Sequence, residues 1–421
     1  MTYRGLLTSQ ERIMNRFIAA AVLAAAFTAP LHAAENWVAS WQASPHAAWR
    51  SGDFVLPTGI PDNLAQQTVR ETARISVGGR RVRIVLSNRY GSQPLVIGEA
   101  HVARAAGADG GIAPGTDQVL TFGGQRGTVI PAGAPAVSDA LEMPMAALEK
   151  LAVSVYLPKK TPLDTFHWGA QQTGHIAAGN AAAAVALADA TALHGRALLA
   201  GIWVDAAVPT RAVIAFGDSI TDGNGSTPDS DRRWPDQLAG RLGAGGVAVA
   251  VVNAGISGAR LLGDRMGANA AARFEQDVLA QPGVHTAVVL MGINDIGWPQ
   301  SAFAPQEAPM TAARMIAAYR QLIAQAHARG VRIVGGTLLP FEGALQGTPF
   351  DAYYTPAKDA VRGEVNRWIR ESGEFDEVAD FDALLRDPDH PSRMQPRYDS
   401  GDHLHPGDAG YAAIARGISR Y

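Results

Sequence analysis

At 421 residues, 47% hydrophobic and 18% charged, the chain has an ordinary globular composition and is long enough for about two to three domains. Its 36 Lys and Arg against 39 Asp and Glu leave a formal net charge of -3 without long runs of like charge, so nothing points to a nucleic-acid partner. Cysteine is absent, which excludes disulfides and cysteine-linked lipid anchoring and leaves the apolar core to hold the fold.

The N-terminus reads Arg12, Arg16, then the apolar run FIAAAVLAAAFT from Phe17 to Thr28, then Pro30 and the small pair Ala33-Ala34. This is the pattern of a secretory signal peptide over residues 1–34, with cleavage expected after Ala33 or Ala34 and a periplasmic or secreted mature chain. An apolar core of about a dozen residues is too short to cross roughly 30 Å of hydrocarbon, so no stable membrane anchor is expected.

From 35 to 207 the hydrophobic period is two. Val82, Ile84 and Leu86 alternate with Arg81, Arg83 and Val85, and Leu151, Val153, Val155 and Leu157 with Ala152, Ser154 and Tyr156. Gly and Pro clusters separate these half-buried strands, which predicts an all-β sandwich. The alanine-rich stretch from Ala177 to Ala192 has no clear period, and its structure stays open. Trp37, Trp41 and Trp49 are candidates for a sugar-stacking platform, although tryptophans so placed more often serve as core or interdomain packing.

After Pro209 the rhythm changes, placing a domain boundary near 207–210 and a second domain over 208–421. Apolar runs at Ala212 to Phe216, Val247 to Val252, Ala287 to Met291, Ile333 to Gly335 and Val378 to Phe381 read as strands buried on both faces. Amphipathic helices alternate with them. The clearest runs from about Thr311 to Arg329, with Met315, Tyr319, Leu322 and Ala326 on one face, and another begins near Gly407 with Tyr411, Ile414 and Ile418 on one side. Such alternation implies a parallel sheet with helices on both faces.

Four short segments fall at strand ends or just before the last helix: Gly217-Asp218-Ser219, NAGISG (Asn253 to Gly258), GIND (Gly292 to Asp295) and DHLH (Asp402 to His405). In an open α/β sheet these ends face one crevice. Ser219 alone would read as a helix cap, but a nucleophile with a base nearby reads differently. Asp402 is three residues before His405, close enough to orient the imidazole and leave its other nitrogen for the serine. Pro406 suits a first helical turn and would pin His405 at the helix entrance. Gly258, Asn294 and the Ser219 N–H are donors available to an oxyanion, each an unremarkable loop group if it stood alone.

Together these blocks resemble the SGNH (GDSL-type) hydrolase superfamily, in the family's order. That resemblance implies a three-layer α/β/α, flavodoxin-like domain with Ser219 as nucleophile, His405 as base, Asp402 as its partner, and Gly258 and Asn294 in the oxyanion hole. Gly255 is the nearer alternative glycine in the second block. WVASWQASP from Trp37, LSNRYGSQPLVIGEAH from Leu86 and RRWPDQL from Arg232 further resemble the exported two-domain subgroup related to rumen xylan-degrading arylesterases and acylhydrolases. GAQQTGHIAAGN, Gly169 to Asn180, fits that subgroup only loosely.

Other chemistries fit less well. An α/β-hydrolase elbow needs glycine at position 221, where Thr221 stands, and the phosphate-loop and dinucleotide fingerprints are absent. The stretch from Asp222 to Ser226 starts like a calcium loop, but Thr227 replaces the glycine and Arg233 the bidentate Glu, so no metal is expected. The resulting expectation is a cofactor-free serine esterase working through an acyl-enzyme on a small-molecule or polysaccharide ester, with acetylxylan-type carbohydrate esters first. The alternatives are an arylesterase, lipase or lysophospholipase, and, from another class, a noncatalytic carbohydrate-binding protein.

Overall fold

Alternating apolar residues between Trp37 and Asp205 form two principal antiparallel sheets. The computed structural model describes residues 35–418 apart from 50, 51, 53 and 108, so the expected signal peptide lies outside the described residues. In the first sheet, Trp37–Gln42 pairs with Leu199–Asp205, which pairs with Gly79–Ser87, which in turn pairs with Pro135–Val137 and Leu141–Met145. The second runs Thr191–His194, Thr173–Ala178, Gln67–Arg74, Lys150–Leu157, Glu99–Ala106 and Gly111–Ile112, with Gln118–Val119 also on Glu99–Ala106.

The strand Gly79–Ser87 behaves as its alternation predicts, with Val82, Ile84 and Leu86 buried and Arg81, Arg83 and Val85 partly exposed. Lys150–Leu157 does not, because Ala152 and Ser154 on its other face are buried too. Ala152 packs with Ala103 and Ile112, and Ser154 is covered by Arg70, a buried guanidinium from the adjacent strand. Its Nε donates to Ser154 Oγ at 2.7 Å, and its terminal nitrogens donate to the carbonyls of Gly110, Ala181, Ala182 and Ala184. Alanines offer little side-chain surface to order a loop, so one planar fork of donors gathers their carbonyls instead. The alanine-rich stretch therefore finishes the strand Thr173–Ala178, turns over this guanidinium and returns as Thr191–His194.

Beyond Pro209 the sheet is parallel. Its spatial order is Val249–Gly255, Arg211–Gly217, Val284–Leu290, Arg332–Gly336, Glu377–Ala379, which places the first strand of the unit between the second and the third. Residues Ala212 to Phe216 are buried on both faces, as helices on each side require. The helix Ala312–Ala328 is capped by Thr311, whose side chain accepts from the Arg314 N–H, and it buries Met315, Tyr319, Leu322 and Ala326. The last expected strand is shorter than predicted. Asp380 accepts from the Ala383 N–H and starts the helix Phe381–Leu385, so Phe381 is helical.

From Asn36 onward the chain is one compact unit. Apolar residues of the antiparallel sheets and of the parallel sheet fall in one continuous core across 207–210. Polar bonds cross the junction as well, from the Ala39 N–H to the Pro282 carbonyl at 2.9 Å and from the Val251 N–H to Ser76 Oγ at 3.1 Å. Among the described residues no helix is long and apolar enough to cross a membrane.

Candidate active site

The strand Arg211–Gly217 has parallel neighbours on both sides, reached by connections that leave in opposite directions. A crevice opens at the carboxyl ends of strands at such a switch point. Gly217-Asp218-Ser219, Asn253 to Gly258 and Gly292 to Asp295 all sit at that end. Ser219 opens a one-turn helix, Ser219–Asp222, which Asp218 caps by accepting from the Ile220 N–H at 3.0 Å. Burial pushes the Asp218 carboxyl up to about 7. A side chain at Gly217 would collide, since its Cβ would stand 2.1 Å from Thr221 Oγ1 and 2.5 Å from the Leu290 carbonyl. The strand-to-helix turn thus requires glycine there for close packing.

His405 Nε2 lies 2.8 Å from Ser219 Oγ, and His405 Nδ1 lies 2.6 Å from Asp402 Oδ2. The other Asp402 oxygen accepts from the N–H groups of Leu404 and His405 at 2.9 and 2.8 Å. Burial pulls Asp402 upward, but the hydrogen bond and charge of His405 and these two N–H donors outweigh it and hold the carboxyl well below the usual carboxylate range. An ionised Asp402 accepts a hydrogen bond from Nδ1–H, which keeps the proton on that nitrogen and leaves the Nε2 lone pair facing the serine hydroxyl. What holds His405 differs from the sequence expectation. The helix is Asp408–Gly417 with Gly407 at its cap, so Pro406 lies outside it. The loop is closed instead by an Asp399–Pro406 bridge, by the Ser400 N–H on the His405 carbonyl at 3.0 Å and by the Leu345 N–H on the Asp402 carbonyl at 2.9 Å.

Gly258 and Asn294 line the same cavity as Ser219 and His405. Gly258 has φ +74°, and a Cβ there would meet Met266 Sδ at 2.3 Å, so both backbone conformation and space call for glycine. Gly255 is placed otherwise: its N–H donates to Asn253 Oδ1 at 2.8 Å, and its Cα packs against the backbone of Asp222. Asn294 Oδ1 accepts from Trp298 Nε1 at 3.1 Å and from the Tyr353 hydroxyl at 2.8 Å, while Nδ2 donates to the Ala259 carbonyl at 3.0 Å. With both sides of the amide engaged, its orientation is set and one Nδ2 proton is left for the cavity. Asp295, whose carboxyl burial pushes up to about 6, accepts the N–H groups of Leu261 and Leu262 at 2.6 and 2.9 Å and so holds the loop that follows Gly258.

The cavity measures about 170 Å³, and its lining is mainly apolar. Trp298, Phe303 and Phe350 form a stacked aromatic wall, with centroid spacings of 5.0 and 4.4 Å. Leu56 and Trp168 reach it from the antiparallel part of the chain, which sequence reasoning missed. No periodicity marks either residue, and the loose match over GAQQTGHIAAGN, which begins one residue after Trp168, was the nearest signal. A larger cleft of about 890 Å³ lies on the far side of the 343–346 segment, lined in part by Glu342, Asp387, Asp399 and His403.

Two further sequence features are explained by packing. Trp41 and Trp49 are buried, and the Trp37 ring lies under the Arg81 and Arg83 guanidinium groups, so the three do not form an open platform. In the calcium-loop-like stretch, Asp222 is held by His167 and Ser257, and Asn224 accepts from Gln171. Those side chains serve internal contacts.

Residues 215–413 match the GDSL-like lipase/acylhydrolase family. Similar solved structures include Axe2, an acetylxylan esterase from Geobacillus stearothermophilus, at 24% identity over 49% of this chain and 91% of that one with a TM-score of 0.37. An acetyl xylan esterase, AlAXEase, is similar at 20% identity over 49% of this chain and 96% of that one, TM-score 0.36. A GDSL-like lipase from Bacteroides thetaiotaomicron VPI-5482 is similar at 17% identity over 49% and 84%, TM-score 0.36. No curated protein matches the chain.

Proposed function

We propose that this chain, whose residues 215–413 form a GDSL-like lipase/acylhydrolase (SGNH) domain and which is accordingly a carboxylic ester hydrolase, works through Ser219, His405 and Asp402 by an acyl-enzyme route. The observation that carries the reading is the unbroken relay from hydroxyl to imidazole to carboxylate, at 2.8 and 2.6 Å. Ser219 Oγ attacks the ester carbonyl as its proton passes to His405 Nε2. The carbonyl oxygen gains negative charge and is received by the N–H groups of Ser219 and Gly258 and by the Asn294 amide. The imidazolium, stabilised by Asp402, then protonates the leaving alcohol. Water, deprotonated by His405, attacks the acyl-serine, and collapse returns the carboxylic acid and the free hydroxyl.

The substrate we assign is a short-acyl ester of a carbohydrate, of the acetylxylan type, met in the periplasm or outside the cell. Resemblance to the exported arylesterase/acylhydrolase subgroup supports this assignment, and the cavity volume suits a small acyl group. A small aryl ester is the second reading, favoured by the aromatic wall of Trp298, Phe303 and Phe350. A noncatalytic carbohydrate-binding role would leave the relay without use.

The test compares acetate release from acetylated xylan with hydrolysis of p-nitrophenyl acetate and phenyl acetate, in wild type and Ser219→Ala. Acetate from xylan lost in the variant supports the carbohydrate ester, and turnover of the aryl esters alone supports the second reading. Full activity in a folded Ser219→Ala protein removes the serine mechanism. No turnover of any ester by folded wild type favours the binding role. N-terminal sequencing of the exported protein tests cleavage after Ala33 or Ala34.

A further inference from the structure

The segment from His167 to Gln171 belongs to the antiparallel part of the chain, yet it is bonded into the serine's own surroundings. His167 Nδ1 donates to the Ser44 carbonyl at 2.9 Å, and its Nε2 lies 3.0 Å from Asp222 Oδ1, in the one-turn helix that begins with Ser219. Asp222 Oδ2 also accepts from the N–H and the hydroxyl of Ser257, at 3.0 and 2.7 Å. Gly169, at φ +83°, packs so closely that a Cβ there would stand 2.3 Å from Ser257 Oγ. Gln171 Nε2 donates to Asn224 Oδ1 at 3.1 Å. Between these anchors, Trp168 donates its N–H to His46 Nε2 at 3.0 Å, sets its ring edge-on to Trp49 at 6.1 Å, and lines the cavity.

We propose that Trp168 is a specificity-determining residue, which forms the acyl-side wall of the catalytic cavity and limits the acyl group to about six carbons. The inference deepens the serine-esterase reading and rests on it. The leaving oxygen must stand beside His405 Nε2, from which it takes its proton, and the carbonyl oxygen among the Ser219, Gly258 and Asn294 donors, so the acyl substituent takes the remaining direction, away from both. Trp168 lines the apolar cavity beside the serine, which suits an acyl chain better than the polar alcohol of a sugar. As for size, an apolar cavity of about 150 Å³ holds one benzene ring, so about 170 Å³ suits a benzoyl or hexanoyl group. A longer chain would have to displace the indole, which packs edge-on against Trp49 and whose backbone is anchored on both sides. The antiparallel region is then part of the substrate site.

The test measures kcat/KM for p-nitrophenyl esters from acetyl to decanoyl, with a parallel series of acetates whose alcohols differ in size, in wild type, Trp168→Ala, Trp168→Leu and Ser219→Ala. Wild type is expected to fall off beyond hexanoyl. Trp168→Ala is expected to raise the decanoyl-to-acetyl ratio by about tenfold or more, with Trp168→Leu in the same direction and the alcohol series unchanged in rank. If either folded tryptophan variant keeps the wild-type acyl profile, or if the change appears in the alcohol series instead, the inference is overturned. Thermal melts identify which variants are folded, and Trp168→Leu decides the matter should Trp168→Ala fail to fold. Ser219→Ala separates the two readings, because activity in that variant removes the serine mechanism whatever the tryptophan variants do.

Discussion

The parallel and antiparallel parts of the chain contribute to one cavity by different means. In the parallel part, topology does the placing: strands ending together at a switch point bring Ser219, Gly258 and Asn294 to the same edge, each in a short Gly-punctuated block. In the antiparallel part nothing about strand order points Trp168 anywhere. It arrives in an irregular stretch after Thr165–Phe166, and side-chain bonds from His46, Asp222 and Asn224 hold the stretch in place. Chemistry placed by topology leaves a motif, whereas a wall placed by packing leaves almost none.

The comparison can be broken or sharpened by experiment. The largest effect is expected in the parallel part: Ser219→Ala should lower kcat by on the order of 10⁶-fold with an unchanged melting curve, as steady-state kinetics and calorimetry would show. Next comes the bond that joins the two parts. Leaving a buried hydrogen-bonding group without one partner costs about 1 to 3 kcal/mol, so His167→Ala should lower stability by that order in urea titration, because Asp222 Oδ1 loses its histidine while Oδ2 keeps only Ser257. A loss no larger than that of an exposed alanine substitution would mean the antiparallel segment only rests against the site.

Asn294→Ala should cost about 10² to 10³ in kcat, with a smaller change in KM, if its amide meets the oxyanion. A raised KM with kcat unchanged would assign it to ground-state contacts. The most gradual effect concerns pH. Burial, opposed by the backbone bond to Ala47, lowers His46 to about 3, and its Nε2 accepts the Trp168 N–H, so the folded chain keeps this ring neutral. An unfolded histidine titrates near 6.5, so below that value the unfolded chain binds a proton that the folded one refuses. This contribution to stability is complete above about pH 6.5 and is lost as pH falls toward 3, at up to about 1.4 kcal/mol per pH unit. Melting temperature should therefore drop on acidification, and less steeply in His46→Gln, whose amide oxygen can still accept from Trp168.

Much of the parallel part was legible because its signals are local. A buried strand announces itself by an unbroken apolar run, and the DHLH spacing places carboxylate and imidazole within reach of each other. The glycine of the second block was separable in principle, since Gly258 needs positive φ while Gly255 needs only space. What escaped was non-local. The fate of the alanine-rich stretch depends on Arg70, more than a hundred residues earlier, and the burial of Ser154 on the same guanidinium. Pro406 invited a helix that starts only at Asp408, because the Asp399–Pro406 bridge takes that turn first. Phe381 was extended on hydrophobicity alone, while the Asp380 carboxylate commits the chain to a helix there.

The continuous core across 207–210 bears on how this enzyme comes apart. Val208 is 53% exposed in the connection between the two kinds of sheet, which makes it accessible to a protease. A single nick there would sever the backbone without parting the interior beneath it. The pieces should travel together through gel filtration, lose their secondary structure in one concerted step on heating, and stay competent to turn over ester until they do.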